Sequence, residues 1–261
     1  MSNSIIPLFH TSSSLKQGGI FTVEKAGAAK DCGRVKGPVS LCDLAKEEGL
    51  SKLSVVGANF ADFMMGYKNL AKVGCDMSFG LKLVICDDIV DKTEDSFRNE
   101  SKVIVFMRTD KAYKALINIY TKAATDGFYY IPRLDWKTLK YLWHEDLILA
   151  LPFYSSFIAR NTMTFATIMP DLPCKPELLI EVGQEMPFDD ILEDAIKKFS
   201  ASVSITPQLC KSIYYKNRVD AKNFLVWRLI LDRKTWDMPN QEHMCSREFC
   251  YESYKEIVIK G

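Results

Sequence analysis

The chain has 261 residues, 48% hydrophobic and 26% charged, enough for one large core or two small ones, with roughly 70–75% of the unfolded surface buried on folding. Thirty-four Lys+Arg against thirty-three Asp+Glu leave a formal charge of +1. A protein that grips DNA through its phosphates carries a clear basic excess or stripe, so autonomous nucleic-acid binding is not expected.

No apolar run approaches the ~18 residues of a membrane span, and the N-terminus has no charged and apolar leader, so no membrane role is expected. The eight cysteines (Cys32, Cys42, Cys75, Cys86, Cys174, Cys210, Cys245 and Cys250) form no CxxC pair and mostly sit in apolar segments such as "LKLVIC". They read as reduced core thiols of a cytoplasmic protein.

Along the chain, "IIPLF" (5–9) predicts a strand, followed by a loop over 15–37. "PVSLCDLAKEEG" (38–49) places Val39, Leu41, Leu44 and Ala45 on one helical face and ends on Gly49. "KLSVVGA" (52–58) reads as a buried strand, "FADFMMGYKNLAKVG" (60–74) as an amphipathic helix and "SFGLKLVIC" (78–86) as a third strand. This βαβαβ rhythm favours a parallel sheet. The acidic stretch 87–101 is expected as an exposed loop.

"KVIVFMR" (102–108) predicts a strand, then come helices over 110–127, with Asp110 as N-cap, and over 136–145. Strands are predicted at 147–153, 164–170 and 177–183, a helix over 189–201, a strand over "VSITP" (203–207), and closing helices over 219–234 and 246–258. About seven β/α units without a linker point to a closed or nearly closed α/β barrel in one domain.

At "KAYKALINIYTKAATDGFYYIPRLDWKTLKYL" (111–142), and above all at "DGFYYIPRLD" (126–135), the chain resembles the polymerase and histidinol phosphatase (PHP) domain of the bacterial replicative DNA polymerase III alpha subunit. "FHTSSSLKQG" (9–18), "DLAKEEGLSKLSVVGAN" (43–59), "GYKNLAKVGCDMSFGLKL" (66–83) and "HMCSREFCYESY" (243–254) are similar to other parts of that domain, so the resemblance covers nearly the whole chain. It implies a distorted seven-stranded (βα) barrel of PHP type over 1–261, without polymerase palm, fingers or thumb.

Active members hold metal ions with histidines and carboxylates at strand ends, because phosphate-ester hydrolysis needs a metal-activated water. On this resemblance the His-x-His-x-His motif falls on Ile6, Leu8 and His10, and an Asp-His pair on Val56 and Gly57. A glutamate position falls on Lys82, a Ser-Gly-Cys loop on "LPF" (151–153), a later histidine on Glu185, and an Asp-x-His on Ser212 and Tyr214. Lone ligands such as His10 and Glu185 do not define a zinc or manganese site. No catalytic residue, metal or other cofactor is therefore expected.

Other chemistry-bearing patterns read as structural. The "SSS" at 12–14 has no Gly-x-Ser-x-Gly elbow and is expected to be a turn. His144 and His243 read as surface residues. Asp87-Asp88 and Asp189-Asp190 read as loop solvation and helix N-terminal charge. Trp136, Trp143, Trp227, Trp236 and the tyrosines of "FYY" read as core or partner-contact residues. Phosphate-cradling glycine motifs and Asp-x-Asp are absent.

The leading expectation is a free-standing, catalytically silent PHP-like module of a bacterial or phage-type replication polymerase, docking a DNA polymerase or proofreading exonuclease. A second is a phosphoesterase or nuclease with substitute ligands His10, Glu185 and Asp76, in which case Lys82 would not fill the pocket as an ion pair with Glu185. A third is the N-terminal piece of a split polymerase III alpha subunit.

Overall fold

The computed structural model describes residues 5–13, 18–28, 38–231, 235 and 246–260. Cys32, Cys245, Ser14, Trp236, His243 and much of the 15–37 loop lie outside them. In chain order the elements are β1 (Ile6–His10), α1 (Leu41–Glu48), β2 (Lys52–Gly57), α2 (Phe63–Ala71), β3 (Asp76–Ile85), α3 (Glu94–Arg98), β4 (Ser101–Met107), α4 (Asp110–Thr125) and β5 (Arg133–Leu134). They continue as α5 (Trp136–Tyr141), β6 (Leu147–Leu151), α6 (Phe157–Thr164), β7 (Glu177–Glu181), α7 (Asp189–Val203), β8 (Gln208–Ile213), α8 (Ala221–Leu231) and α9 (Tyr251–Lys260). The class is α/β, and the strand pairing is compatible with a barrel-type fold.

The chain divides into two compact units. The first comprises Met1–Phe79, Glu181–Pro187 and Leu209–Gly261. Here β1 lies between β2 and β8 and is parallel to both, with Leu8 opposite Ser54 on one side and Ser212 on the other. Because side chains alternate along a strand, Phe9, Leu53, Val55 and Ile213 turn to one face. There they pack with Phe21, Leu41, Leu44, Leu70 and Tyr251 in one apolar cluster.

Helix α1 meets that cluster because Leu41, Leu44 and Ala45 recur at helical spacing. Ser40 starts it by accepting the Cys42 amide at 3.1 Å, and Gly49 ends it in the left-handed conformation at φ 64°.

The second unit comprises Gly80–Ile180 and Phe188–Gln208. Its strands follow the order β7-β6-β4-β3-β5. β4 runs antiparallel to both β3 and β6, whereas β3–β5 and β6–β7 are parallel. The sheet is therefore mixed rather than parallel. The link from β3 to β4 holds the five-residue α3, and the register of Gly80–Ile85 against Phe106–Ser101 shows the chain returning antiparallel. Helix α4 buries Ala112, Leu116, Ile119 and Ala123, one stripe at i, i+4, i+7 and i+11.

Two predicted strands are corrected. "TFATIMP" (164–170) is not a strand: α6 runs to Thr164, Phe165 caps it at φ 54°, and Asn161 then holds the loop through the Ile168 carbonyl at 2.7 Å. "VSITP" (203–207) is not one either, since α7 continues through Val203 and the strand begins at Gln208. The acidic stretch carries α3 and the first residue of β4, and is exposed over most of its length. No helix among the described residues is long and apolar enough to cross a membrane.

Phe9 is fully buried, with its ring centroid 5.8 Å from that of Phe21 and 5.9 Å from that of Tyr251. Phe9→Ala is expected to lower the unfolding free energy in urea by about 3–5 kcal/mol. The exposed Val90→Ala should change it by less than about 0.5 kcal/mol.

Candidate functional site

In the first unit the register of β1 puts Ile6, Leu8 and His10 on one face, opposite Cys210 and Ser212 of β8 and beside Ser54 and Val56 of β2. Leu8 and Val56 are buried there as packing residues, and Ile6 is half-buried. His10 is buried too, its ring stacked on that of Tyr214 at 4.3 Å with an interplanar angle of 8°. Tyr214 is held in turn by Phe224 and Phe249, at 5.2 and 5.8 Å.

The ends of β1 and β8 are covered by the chain itself. Ile20 donates its amide to the Tyr214 carbonyl at 2.8 Å. Gly19 lies so close that a Cβ there would fall 2.4 Å from the His10 carbonyl oxygen and 2.3 Å from that of Tyr214. Only glycine permits that approach.

Next to this stack sits a buried polar network that the expected ligand positions did not include, apart from Ser212. The Glu181 carboxylate, at the end of β7, accepts the Ser212 amide at 2.7 Å, the Ser212 hydroxyl, and the Gln184 side-chain amide at 2.9 Å. Gln184 also donates to the Ser212 carbonyl at 3.1 Å. Its carbonyl oxygen accepts from Lys211 Nζ at 3.2 Å. The same ammonium donates to the carbonyls of Val182 and Gly183 at 3.1 and 2.8 Å.

Gln184 thus bridges a buried cation and a buried anion, both fully engaged by protein partners, as burial of charge requires. Burial lowers the Lys211 pKa against the opposing pull of Glu181. Burial, and then the Glu181 charge, push the Cys210 thiol well up, so this cysteine is not a thiolate nucleophile.

The proposed substitute ligands are not brought together. Asp76 is exposed at the start of β3, where its amide bonds the Ser51 carbonyl. His10 pairs with Val56 at the far end of β2, so roughly 16 Å of strand separates the two levels. Glu185 is exposed at φ 57° in the turn after β7. Gly57 is buried against Phe79, and Lys82 is half-buried on β3 in the second unit. Among the described residues no group of three or more His, Cys, Asp or Glu could hold a metal ion.

Of the remaining candidates, Ser12 and Ser13 lie in a turn, where Ser13 donates to Asp62 at 2.5 Å. His144 accepts the Asp146 amide at 3.1 Å in a local turn. Asp87 pairs with Arg160 at 3.3 Å, and Asp189 accepts the Tyr154 hydroxyl at 2.8 Å.

In the second unit the "DGFYYIPRLD" segment is organised around Arg133, which is fully buried. Its guanidinium donates to the Gly127 carbonyl at 3.3 Å, the Ser96 hydroxyl at 3.1 Å and the Asp91 carbonyl at 2.9 Å, and lies 5.0 Å from the Tyr129 ring centroid. A Cβ on Gly127 would fall 1.9 Å from the Arg133 carbonyl oxygen, which explains this glycine. Asp135 caps α5 through the Thr138 amide at 2.7 Å. Glu100 Oε1 stands 3.7 Å from Arg133 and accepts no hydrogen bond, so burial raises its pKa to about 7 despite the nearby guanidinium.

No protein-family model matches this chain, and a search of characterised proteins also finds no match.

Two predictions follow from these geometries. Glu181→Ala strands three buried donors and is expected to cost about 2–4 kcal/mol in urea unfolding, whereas the exposed Glu185→Ala should cost less than about 0.5 kcal/mol. Folded Glu100 holds its proton up to about pH 7, while in the unfolded chain it releases it near 4.5. Between those values the folded state binds more protons, so this group's contribution to stability falls as pH rises from 4.5 to 7. Comparing urea midpoints of wild type and Glu100→Gln across that window should show a steeper decline for wild type.

Proposed function

We propose that the chain is a catalytically silent PHP-like module of a bacterial or phage-type DNA replication machine, a protein-interaction scaffold in the cytoplasm that docks a DNA polymerase or proofreading exonuclease. On this reading residues 1–261 are one PHP-type barrel domain without palm, fingers or thumb. The support is the quoted motif resemblance together with the chemistry at the ends of β1, β7 and β8.

One observation carries the silent half of the proposal. The Glu181 carboxylate accepts three hydrogen bonds, two from Ser212 and one from Gln184, and the buried ammonium of Lys211 is bound to backbone carbonyls and Gln184. A hydrolytic metal centre needs ionised oxygens and imidazole nitrogens directed at a common point with an open coordination position. Here the carboxylate is turned to protein donors, Ile6 and Leu8 supply no ligand, and His10 lies flat on a tyrosine ring. The scaffold half rests on the motif resemblance and on the near-neutral charge, which argues for protein rather than nucleic-acid contacts.

The test has two arms. Purified chain with added Mn2+ or Zn2+ is expected to give no turnover of p-nitrophenyl phosphate or of a labelled single-stranded oligonucleotide. Affinity capture from its native host during replication is expected to recover a polymerase or exonuclease subunit. Turnover that His10→Ala or Glu181→Gln abolishes would overturn the silent reading, and capture without any replication protein would overturn the scaffold reading.

A further inference from the structure

The second unit carries an exposed aromatic surface beside a segment of predominantly acidic charge. Tyr130 is 71% exposed at the tip of a tight turn, in which the Tyr129 amide bonds the Ile131 carbonyl at 3.1 Å. Its φ of 60° is a strained, left-handed conformation for a bulky residue. Phe97 lies 5.8 Å from Tyr130, and Tyr129 lies 4.6 Å from it, so three rings form one cluster. Phe128 and Val90 add exposed apolar area in the adjoining segments.

The rim is acidic. Residues 87–97 contain five carboxylates and one lysine. Asp91 and Glu94 are exposed, and Glu94 shares a face of α3 with Phe97 at i, i+3 and stands close enough for its charge to act on Tyr129. Asp91 is tied to the cluster, because its carbonyl accepts from Arg133, whose guanidinium faces Tyr129. The protein therefore already holds one arginine beneath this surface in a defined way: guanidinium against a tyrosine face, N–H donors to the 91–96 segment.

We infer that the outer face of this cluster, centred on Tyr130 with Asp91 and Glu94 at its rim, docks an arginine-bearing basic segment of a partner protein. Exposed aromatic rings attract cations through their faces, and the carboxylates supply the longer-range attraction and exclude acidic competitors. Arginine suits the site better than lysine because its planar fork stacks on a ring while donating to carboxylates. A contiguous exposed aromatic patch of this kind marks an interaction surface. The inference extends the scaffold reading by naming a surface and partner chemistry, and rests on it only in requiring a partner.

The test is fluorescence anisotropy of the full chain with a fluorescein-labelled Arg-Ser repeat dodecapeptide, and with Lys-Ser and Glu-Ser repeats of equal length. The Arg-Ser peptide should bind saturably and more tightly than the Lys-Ser peptide, and the Glu-Ser peptide should not bind. Tyr130→Gly relieves the positive φ, so its thermal midpoint should stay level or rise while Arg-Ser binding weakens about threefold. The Asp91→Asn, Glu94→Gln double should weaken it about fivefold. A Glu193→Gln, Asp194→Asn control on α7 should leave it unchanged.

Equal loss in the control, no loss in Tyr130→Gly, or equal binding of the Glu-Ser peptide would overturn the inference. A dimer in sedimentation velocity that Tyr130→Gly dissolves would also overturn it, by making a second copy the occupant. If peptide binding fails while the chain still captures a replication protein, this surface is wrong and the scaffold reading stands. If the peptide binds as described but no replication protein is captured, the surface stands and the replication reading falls.

Discussion

A carboxylate cannot be carried into a protein interior unless its lone pairs are met, and the Glu181–Ser212 contact is where this chain meets that condition. Within the first unit, the bond from the Ser212 amide to the Glu181 carboxylate gives that amide a side-chain acceptor. Gln184 then has to enter the interior to complete the set, and its other end satisfies Lys211. With Lys211 also capping the Val182 and Gly183 carbonyls, the turn after β7 has little choice of path. One buried charge thereby engages Ser212, a turn and a buried cation.

The alternation of β1 divides the labour between its two faces. Pro7 and Phe9 belong to the face toward the apolar cluster that α1 and α9 cover, with Phe9 at its centre. Ile6, Leu8 and His10 belong to the other, beside Ser54, Cys210 and Ser212. On the proposed PHP-like reading, this second face stands where metal ligands would be expected. Here it carries packing, a ring stack and a hydrogen-bonded carboxylate. Those are the features of a stabilised interior; the exposed Tyr130, by contrast, keeps a left-handed backbone conformation.

What was legible in the sequence follows from range. β1, β2, β4 and β6 are apolar runs bounded by polar or glycine residues, and the prediction finds them to within a residue or two, because that pattern is local. α1 and α4 declare themselves by helical spacing. β8 was missed because Lys211 and Ser212 interrupt its pattern, and those polar residues make sense only once Glu181 and Gln184 are beside them. The antiparallel course of β4 was hidden for a related reason: strand direction shows only in the pairing with β3 and β6, not in the strand's own composition. His10 was readable as a strand-end histidine. Glu181 left one signal, a carboxylate closing the apolar run "LLIE", which a search for strand-end acids would have found. "DGFYYIPRLD" stood out as non-periodic, and the reason is physical: Gly127, Arg133 and Asp135 serve a buried guanidinium and a helix cap, while Phe128 and Tyr130 face solvent.

The central claim is that, among the described residues, the Glu181 carboxylate and the Lys211 ammonium beside the ends of β7 and β8 are engaged by protein partners in place of a metal ion. Calorimetric titration of Mn2+ and of Zn2+ into the purified, chelator-treated chain tests it most directly. Such engagement predicts no stoichiometric uptake of either ion, with His10→Ala and Glu181→Gln behaving as wild type does. Uptake of one or more equivalents that either substitution removes would contradict it.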